Sequence, residues 1–276
     1  MSQGSLEQRF FEIGRCIYCD QTADPLTDEH AVPYGLGGNT IVLNKACCEK
    51  CRVIASKCEL NPIHENWAEV RAALDFPSRR KELGKRVFPL NVELEDGSRT
   101  TLRLKGKETL GLVQFLLYDP PAFLVPTDYK SGIKVTGAKL IGFGLNPSEF
   151  KKKHKIKSLS VTISSTGNNF EKMVIKMAYC LVIAYWGIDC FAKIFILPTI
   201  LNEKDDAGFW MGCDPEGRFV PPIGKQPGGF APRISILESN SGERITVVSL
   251  KFFPASEAPE YVVVIGTLKT SFNTPE

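Results

Sequence analysis

The chain has 276 residues, of which 43% are hydrophobic and 24% are charged, and its formal net charge is +3. These values are close to the average for globular proteins, so they exclude a disordered, collagen-like or highly charged chain. The length is enough for one large domain or for two smaller domains with separate cores. The unusual feature of the composition is a total of nine cysteines.

The cysteines are concentrated near the N-terminus, where six of them lie between residues 16 and 58. An odd number cannot pair completely in disulfides within one chain. The first residues, Met1 to Gln8, contain neither a basic start nor an apolar run, so we expect no secretory leader and a cytoplasmic location. In that reducing compartment, clustered cysteines bind metal more often than they form disulfides. Cys180, Cys190 and Cys213 lie in apolar surroundings that are typical of buried free thiols.

One apolar segment, Met173 to Leu197, invites comparison with a transmembrane helix. Charged residues, including Lys176, interrupt it, and its longest uncharged run is Met177 to Ile188. A spanning helix needs about 20 apolar residues, so this run is too short. We therefore predict a buried core helix and no membrane association.

The predicted elements of the N-terminal region are turns followed by helices. A helix is expected from Cys48 to Glu59, and Asn61-Pro62 should end it because a residue before proline avoids the helical conformation. A second helix is expected from Glu65 to Leu74, with apolar residues at three-and-four spacing. The basic run from Arg79 to Arg86 then marks a boundary, which divides the chain into domains at 1–86 and 87–276.

Strand patterns dominate the second domain. Val87–Leu94 and Thr100–Leu104 flank an Asp-Gly turn, which predicts a β-hairpin. Asn168 or Asn169 should cap a helix over Phe170–Trp186, which Gly187 ends. Further strands are expected at Leu110–Leu117, Ala138–Phe143, Leu159–Ile163, Ile234–Leu237, Arg244–Phe252 and Tyr261–Leu268. The predicted fold is α+β, with a mainly antiparallel sheet and a long buried helix.

Two Cys-x2-Cys motifs, Cys16 with Cys19 and Cys48 with Cys51, predict a structural zinc site. A two-residue spacer lets both thiolates of a pair face one ion, and two pairs complete a tetrahedral set. Cys47 competes with Cys48, because three residues between Cys47 and Cys51 also form a usable spacing. The matching spacing of the two pairs favours Cys48.

The segment between the two pairs contains a carboxylate, a histidine, a proline, a Gly-Gly and two asparagines, which are Glu29, His30, Pro33, Gly37-Gly38, Asn39 and Asn44. This pattern between zinc knuckles resembles the HNH endonuclease family. The resemblance implies a zinc-stabilised ββα-metal finger within residues 1–86. It also implies metal-dependent hydrolysis of phosphodiester bonds, with DNA as the preferred substrate and a role such as phage defence.

The resemblance implies a role for each polar residue of the finger. His30 matches the general base that deprotonates water, a task suited to a side chain that ordinarily titrates near neutral pH. Glu29 matches the ligand of one divalent cation, magnesium or manganese, which would neutralise the phosphorane and stabilise the leaving group. Asp28 is a supporting or alternative ligand. Asn44, or Asn39, matches the residue that steadies the histidine loop.

The chain departs from the family pattern directly after the last knuckle cysteine. Many family members have an asparagine there that supplies the second metal ligand, whereas this chain has Arg52. Glu59, about two turns later on the predicted helix, is the candidate substitute. Without such a ligand the finger would bind without cutting, so the alternative function is a non-catalytic zinc-knuckle module for nucleic acid or protein.

Basic residues that follow the last cysteine of the second pair suggest a contact with phosphates, although a solvated face or linker is the alternative interpretation. The candidates are Arg52, Lys57, Arg79, Arg80 and Lys81. Residues 87–276 contain no nucleotide-binding loop, catalytic triad or second metal motif. That domain is therefore expected to select the target, to sense a ligand or to mediate assembly into a homo-oligomer.

Overall fold

The two cysteine pairs are held by a small mixed sheet and by the helices that follow it. The structure is a computed structural model that describes residues 9–23, 25–36, 41–76, 85–125, 128–160 and 169–275. The elements of this region are β1 (Arg9–Glu12), β2 (Leu26–His30), β3 (Ile41–Cys48), α1 (Glu49–Ala55), α2 (Lys57–Asn61) and α3 (Ala68–Ala73). In the sheet, β3 lies between β1, which is parallel to it, and β2, which is antiparallel to it.

The helical part of this region follows the sequence prediction in outline. The helix expected from Cys48 to Glu59 is present as α1 and α2, but the expected break at Asn61-Pro62 is wrong, because Asn61 belongs to α2 and the backbone stays helical at Pro62. The chain then continues in a π-helical turn over Pro62–Asn66, because proline is tolerated in the first turn of a helical segment. The helix expected from Glu65 to Leu74 is shorter, as α3, and Val70 is fully buried on its inner face.

The predicted hairpin is confirmed as β4 (Val87–Leu94) and β5 (Arg99–Lys105), which pair antiparallel. β8 (Ile156–Ser160) adds to the other side of β4, so the order of this sheet is β5-β4-β8. A helix that the sequence analysis did not predict, α4 (Pro147–His154), inserts Phe150 into a small core beneath the sheet. Between β5 and α4 in the chain, β6 (Leu112–Tyr118) and β7 (Val135–Gly142) pair antiparallel as a separate two-stranded sheet.

The largest sheet is antiparallel and packs against the predicted core helix, α5 (Asn169–Trp186). Gly187 ends this helix with a φ of 77°, a backbone angle that glycine adopts without strain. The sheet strands are β9 (Phe191–Ile194), β10 (Met211–Cys213), β11 (Phe230–Glu238), β12 (Arg244–Phe252) and β13 (Glu260–Leu268). The short helices α6 (Leu197–Ile200) and α7 (Ala207–Trp210) complete the described elements. The α+β class with mainly antiparallel sheets is confirmed.

One continuous apolar core joins the N-terminal region to the rest of the chain. It contains Cys16, Trp67, Tyr179 and Phe252. The Trp67 ring lies 4.8 Å from the Phe252 ring, centroid to centroid, with the two planes nearly perpendicular. The N-terminal region therefore buries its apolar residues against the second region, and the boundary near residue 86 stays a prediction. None of the described helices has the length and apolar character to cross a membrane.

Candidate zinc centre and adjacent ion cluster

Four cysteine side chains converge at the junction of β3 and α1. The Sγ atoms of Cys16, Cys19, Cys48 and Cys51 all lie within 4.8 Å of one another. Cys48 is the N-cap of α1, and its Sγ accepts a hydrogen bond from the backbone N–H of Cys51. Zinc bound at about 2.3 Å from each sulfur needs this close tetrahedral spacing of thiolates. The predicted ligand set is therefore brought together, and its residues fit a structural zinc ion.

The environment of these thiols is compatible with a bound cation. Burial, reinforced by the neighbouring Cys48, raises the pKa of the Cys51 thiol well above its usual value. A hydrogen bond from Cys47, partly opposed by burial, lowers the pKa of the Cys16 thiol to about 4. Several thiolates in one buried cluster repel each other unless a metal ion neutralises them, and metal binding releases the thiol protons.

Cys47 lies beside the cluster without belonging to it. Its buried thiol contacts Cys16 and donates to the carbonyl of Cys48 at 3.5 Å. The structure therefore favours Cys48 over Cys47 as the fourth ligand. Cys58, the remaining cysteine of the region, is buried on α2 and donates to the carbonyl of Ala55 at 2.9 Å.

Glu29 and His30 are the last two residues of β2, which pairs antiparallel with β3. Glu29 pairs with Leu43 in the sheet register, and His30 pairs with Val42. The Glu29 residue is only 7% exposed, whereas His30 is half-buried. The general-base candidate is thus more open to the surface than the carboxylate beside it.

The other predicted members of the site lie at the surface. Asp28 sits at an irregularity of the β2–β3 register, and its carboxylate accepts a hydrogen bond from the backbone N–H of Lys45 at 3.1 Å. The Asn44 amide donates to Oε1 of Glu12 at 3.2 Å, which ties β3 to β1. Gly37, Gly38 and Asn39 lie outside the described residues.

A lysine from the core helix lies between the two predicted metal-binding carboxylates. The Nζ atom of Lys176 on α5 is 2.7 Å from Oε1 of Glu29 and 2.5 Å from Oε1 of Glu59. The Lys176 side chain is 4% exposed, and those of Glu29 and Glu59 are 9% and 20% exposed. The Tyr18 hydroxyl donates to the other carboxylate oxygen of Glu29 at 3.2 Å. Glu29 and Glu59 therefore converge on an ammonium group.

Electrostatics keep this lysine charged. Burial alone would lower the pKa of Lys176, but the attraction of Glu29 and Glu59 outweighs it and raises the pKa well above its usual value. Burial raises the pKa of Glu59, and Lys176 opposes that rise. Lys176 is consequently an ammonium ion that compensates the buried carboxylates.

The positions of Glu29 and Glu59 bear on the magnesium or manganese site that the resemblance implies. Carboxylate oxygens are the ligands that these hard cations prefer. The Lys176 nitrogen, however, already binds one oxygen of Glu29 and one of Glu59, so a divalent ion cannot take both oxygens while it is there. The pair does not fit a catalytic metal in this arrangement.

The predicted phosphate-binding residues are only partly within the described chain. Arg52 is exposed on α1, but its guanidinium binds both carboxylate oxygens of Glu49 at 2.6 and 2.7 Å. Lys57 is exposed on α2. The remaining candidates lie outside the described residues, and these are Arg79, Arg80 and Lys81.

The structure reveals a basic surface that the sequence analysis missed. Arg99, Arg103 and Lys105 alternate along β5, so they emerge on the same face of the β5-β4-β8 sheet. All three are exposed, and an open groove of about 440 Å³ runs over this face beside Arg99. The alternation in Arg99-Thr-Thr-Leu-Arg-Leu-Lys105 is the sequence signal that could have found it. For Lys176, the signal was one charged residue in the apolar stretch Met173–Trp186 of α5.

Comparison with known proteins does not identify the chain. No protein-family model, no curated protein and no solved structure matches it. The likeness to the HNH family therefore rests on the residues of the finger alone.

Proposed function

We propose that the chain is a zinc-stabilised nuclease of the HNH type that hydrolyses phosphodiester bonds, with DNA as its substrate. The observation that carries the proposal is the position of Glu29-His30 at the end of β2, paired antiparallel with β3. β3 ends at Cys48 and leads directly into α1. This order of strand, strand and helix around four cysteines is the order that the family resemblance implies.

His30 is the proposed general base. It is half-buried at the end of β2, where it would deprotonate a water molecule for attack on phosphorus. The reaction also needs positive charge to neutralise the phosphorane oxygens. Lys57 is an exposed cation on the helices after β3, and the exposed Arg52 guanidinium becomes available if phosphate displaces Glu49 from it. Magnesium or manganese stays an expected requirement, to be tested directly.

A second candidate function is a zinc-knuckle module that binds nucleic acid without cutting it. The observation that favours it is Lys176, which engages both predicted metal-binding carboxylates. The basic face of β5 is compatible with either function, because it would attract phosphate backbones irrespective of sequence.

A cleavage assay with a matched histidine control separates the two functions. Zinc-loaded protein would be incubated with plasmid DNA, linear DNA or RNA, and with magnesium, manganese or neither. For a general base, His30→Ala should lower the cleavage rate by about 10²- to 10⁴-fold while His64→Ala, outside the site, leaves it unchanged. Intact substrate under every condition would overturn the nuclease proposal. Binding without cleavage in a gel-shift assay would then support the second function, and no binding would reject both.

A further inference from the structure

We propose that Lys176 is the resident cation of the Glu29–Glu59 pair, so that an internal ammonium group holds the position where the sequence predicts a divalent metal ion. The inference goes beyond the proposed function, because it concerns what the two carboxylates bind and not whether the chain cuts nucleic acid. It makes the pair a latent metal site that one side chain keeps closed.

The geometry supports this assignment because three separate elements supply the cluster. Glu29 comes from β2, Glu59 from α2 and Lys176 from α5, yet one nitrogen lies within hydrogen-bond distance of both carboxylates. An ammonium group has three donors, and two of them are used here. The second oxygen of Glu29 accepts from Tyr18, so both oxygens of this carboxylate are occupied. The arrangement is a closed buried cluster.

The packing of α5 holds Lys176 in this position. Its neighbours Ile175 and Met177 and the residue one turn earlier, Met173, are at most 1% exposed. A helix with such surroundings has no room to turn, since protein interiors are close-packed. Lys176 is therefore held in the cluster by the core and not by its ion pairs alone.

Removal of the lysine charge should change what the two carboxylates bind. Two buried carboxylates without a cation are strongly disfavoured, and they must then protonate or take up another cation. In Lys176→Met the shorter, uncharged side chain leaves both oxygens unoccupied. Oxygen ligands from two residues, completed by water, are a usual way to hold manganese or magnesium.

Manganese binding to the zinc-loaded full chain tests this assignment. The free manganese signal in electron paramagnetic resonance would be followed for the wild type and for Lys176→Met. We expect the variant to bind one additional manganese ion, at least about 10-fold more tightly than the wild type binds any manganese. Addition of manganese should therefore raise the melting temperature of the variant. Lys172→Met is the matched control, because Lys172 lies on the same helix but is only half-buried and binds Asn202 outside the cluster. It should bind manganese like the wild type.

A second substitution shows whether the gained ion sits between the carboxylates. In Lys176→Met with Glu59→Gln, the extra ion should be lost. Equal manganese binding by the wild type and Lys176→Met would overturn the assignment, as would a gained ion that Glu59→Gln does not remove. If Lys176→Met fails to fold, manganese should restore folding, and failure to do so also overturns the assignment.

These results can be separated from the test of nuclease activity because no nucleic acid is present. A wild type that cleaves DNA but binds no manganese at this pair would keep both proposals and place any catalytic ion elsewhere. A wild type that never cleaves would reject the nuclease and leave the role of Lys176 to the binding experiment.

Discussion

The Tyr179 hydroxyl donates a hydrogen bond to the backbone carbonyl of Ile17, with 2.5 Å between the two oxygens. Ile17 follows Cys16, the first cysteine of the candidate zinc site, and Tyr179 lies in the middle of the core helix α5. Tyr179 and Lys176 are three positions apart, so they share a face of that helix. This face contacts the first cysteine pair through one residue and the carboxylate pair through the other. The core helix is thus a direct structural support of the region that holds the four cysteines.

The first prediction concerns that hydrogen bond. Tyr179→Phe removes the hydroxyl that donates to the backbone carbonyl of Ile17, so this buried carbonyl loses that hydrogen bond. We expect a loss of about 1–2 kcal/mol in the free energy of unfolding, measured by urea denaturation. Zinc transfer to a chromogenic chelator should also be faster. Tyr185→Phe is the control, because Tyr185 is 41% exposed on the same helix and should change neither quantity. Unchanged zinc release in Tyr179→Phe would contradict the supporting role.

The second prediction separates structural from chemical residues of the finger. Cys51→Ser should abolish zinc binding and unfold the N-terminal region, because structural zinc contributes about 10–16 kcal/mol of binding energy in small finger domains. Metal analysis should give one zinc per wild-type chain. Cys213→Ser, a buried cysteine on β10, should retain zinc. His30→Ala should melt like the wild type, and a melt resembling that of Cys51→Ser would show that His30 is structural.

The third prediction concerns the pH dependence of stability. Glu171 is buried at the start of α5, and burial raises its pKa even though Tyr118 donates to Oε1 at 2.5 Å. Among the atoms that the structure describes, Oε2 of Glu171 is buried without a hydrogen-bond partner. A carboxyl group with a raised folded pKa binds its proton more tightly in the folded state. Its contribution to stability is therefore largest at low pH and is lost as the pH rises from the unfolded pKa through the folded pKa.

Glu171→Gln tests this sign. The amide stays neutral at every pH, so the variant should lose less stability than the wild type as the pH rises above the usual carboxyl pKa. Urea denaturation at several pH values measures the difference. A wild type and a variant with parallel pH profiles would show that Glu171 titrates at its usual value in the folded chain.

The fourth prediction concerns the basic face of β5. If nucleic acid lies across it, substitution of Arg99, Arg103 and Lys105 by alanine should weaken binding equally for different sequences. The slope of log affinity against log salt should fall by up to about 3, because each phosphate contact contributes about 0.9 to that slope. Fluorescence anisotropy at several salt concentrations measures both effects.

The matched control for this surface lies on the opposite side of the same sheet. α4 packs beneath the sheet, and exposed lysines occur at its C-terminal end, so a control triple-alanine variant removes the same charge at Lys152, Lys153 and Lys155. It should retain the affinity and salt slope of the wild type. Equal losses in the two variants would mean that net charge governs binding and that the β5 face has no specific part in it.

Features that depend on neighbouring residues could be predicted from the sequence. The two-residue spacing within each cysteine pair limits where the thiols can point, and an Asp-Gly turn between strand patterns is sufficient to predict the β4–β5 hairpin. The asparagine and the glycine that bound α5 predicted its length closely. These are local signals, because a turn or a helix end is stabilised mainly by residues a few positions away.

The groups that Glu29 and Glu59 bind could not be predicted from local sequence. A charged residue in the apolar stretch Met173–Trp186 predicts that some compensating group exists, but not which one, since the partner can come from any part of the chain. Lys176 pairs with Glu59 across 117 positions, and the shared core determines that contact. Of the nine cysteines, the four in the two Cys-x2-Cys pairs, together with the motif between the pairs, indicated where the site lies. The packing of α5 against it placed an ammonium group where the motif alone predicts a metal ion.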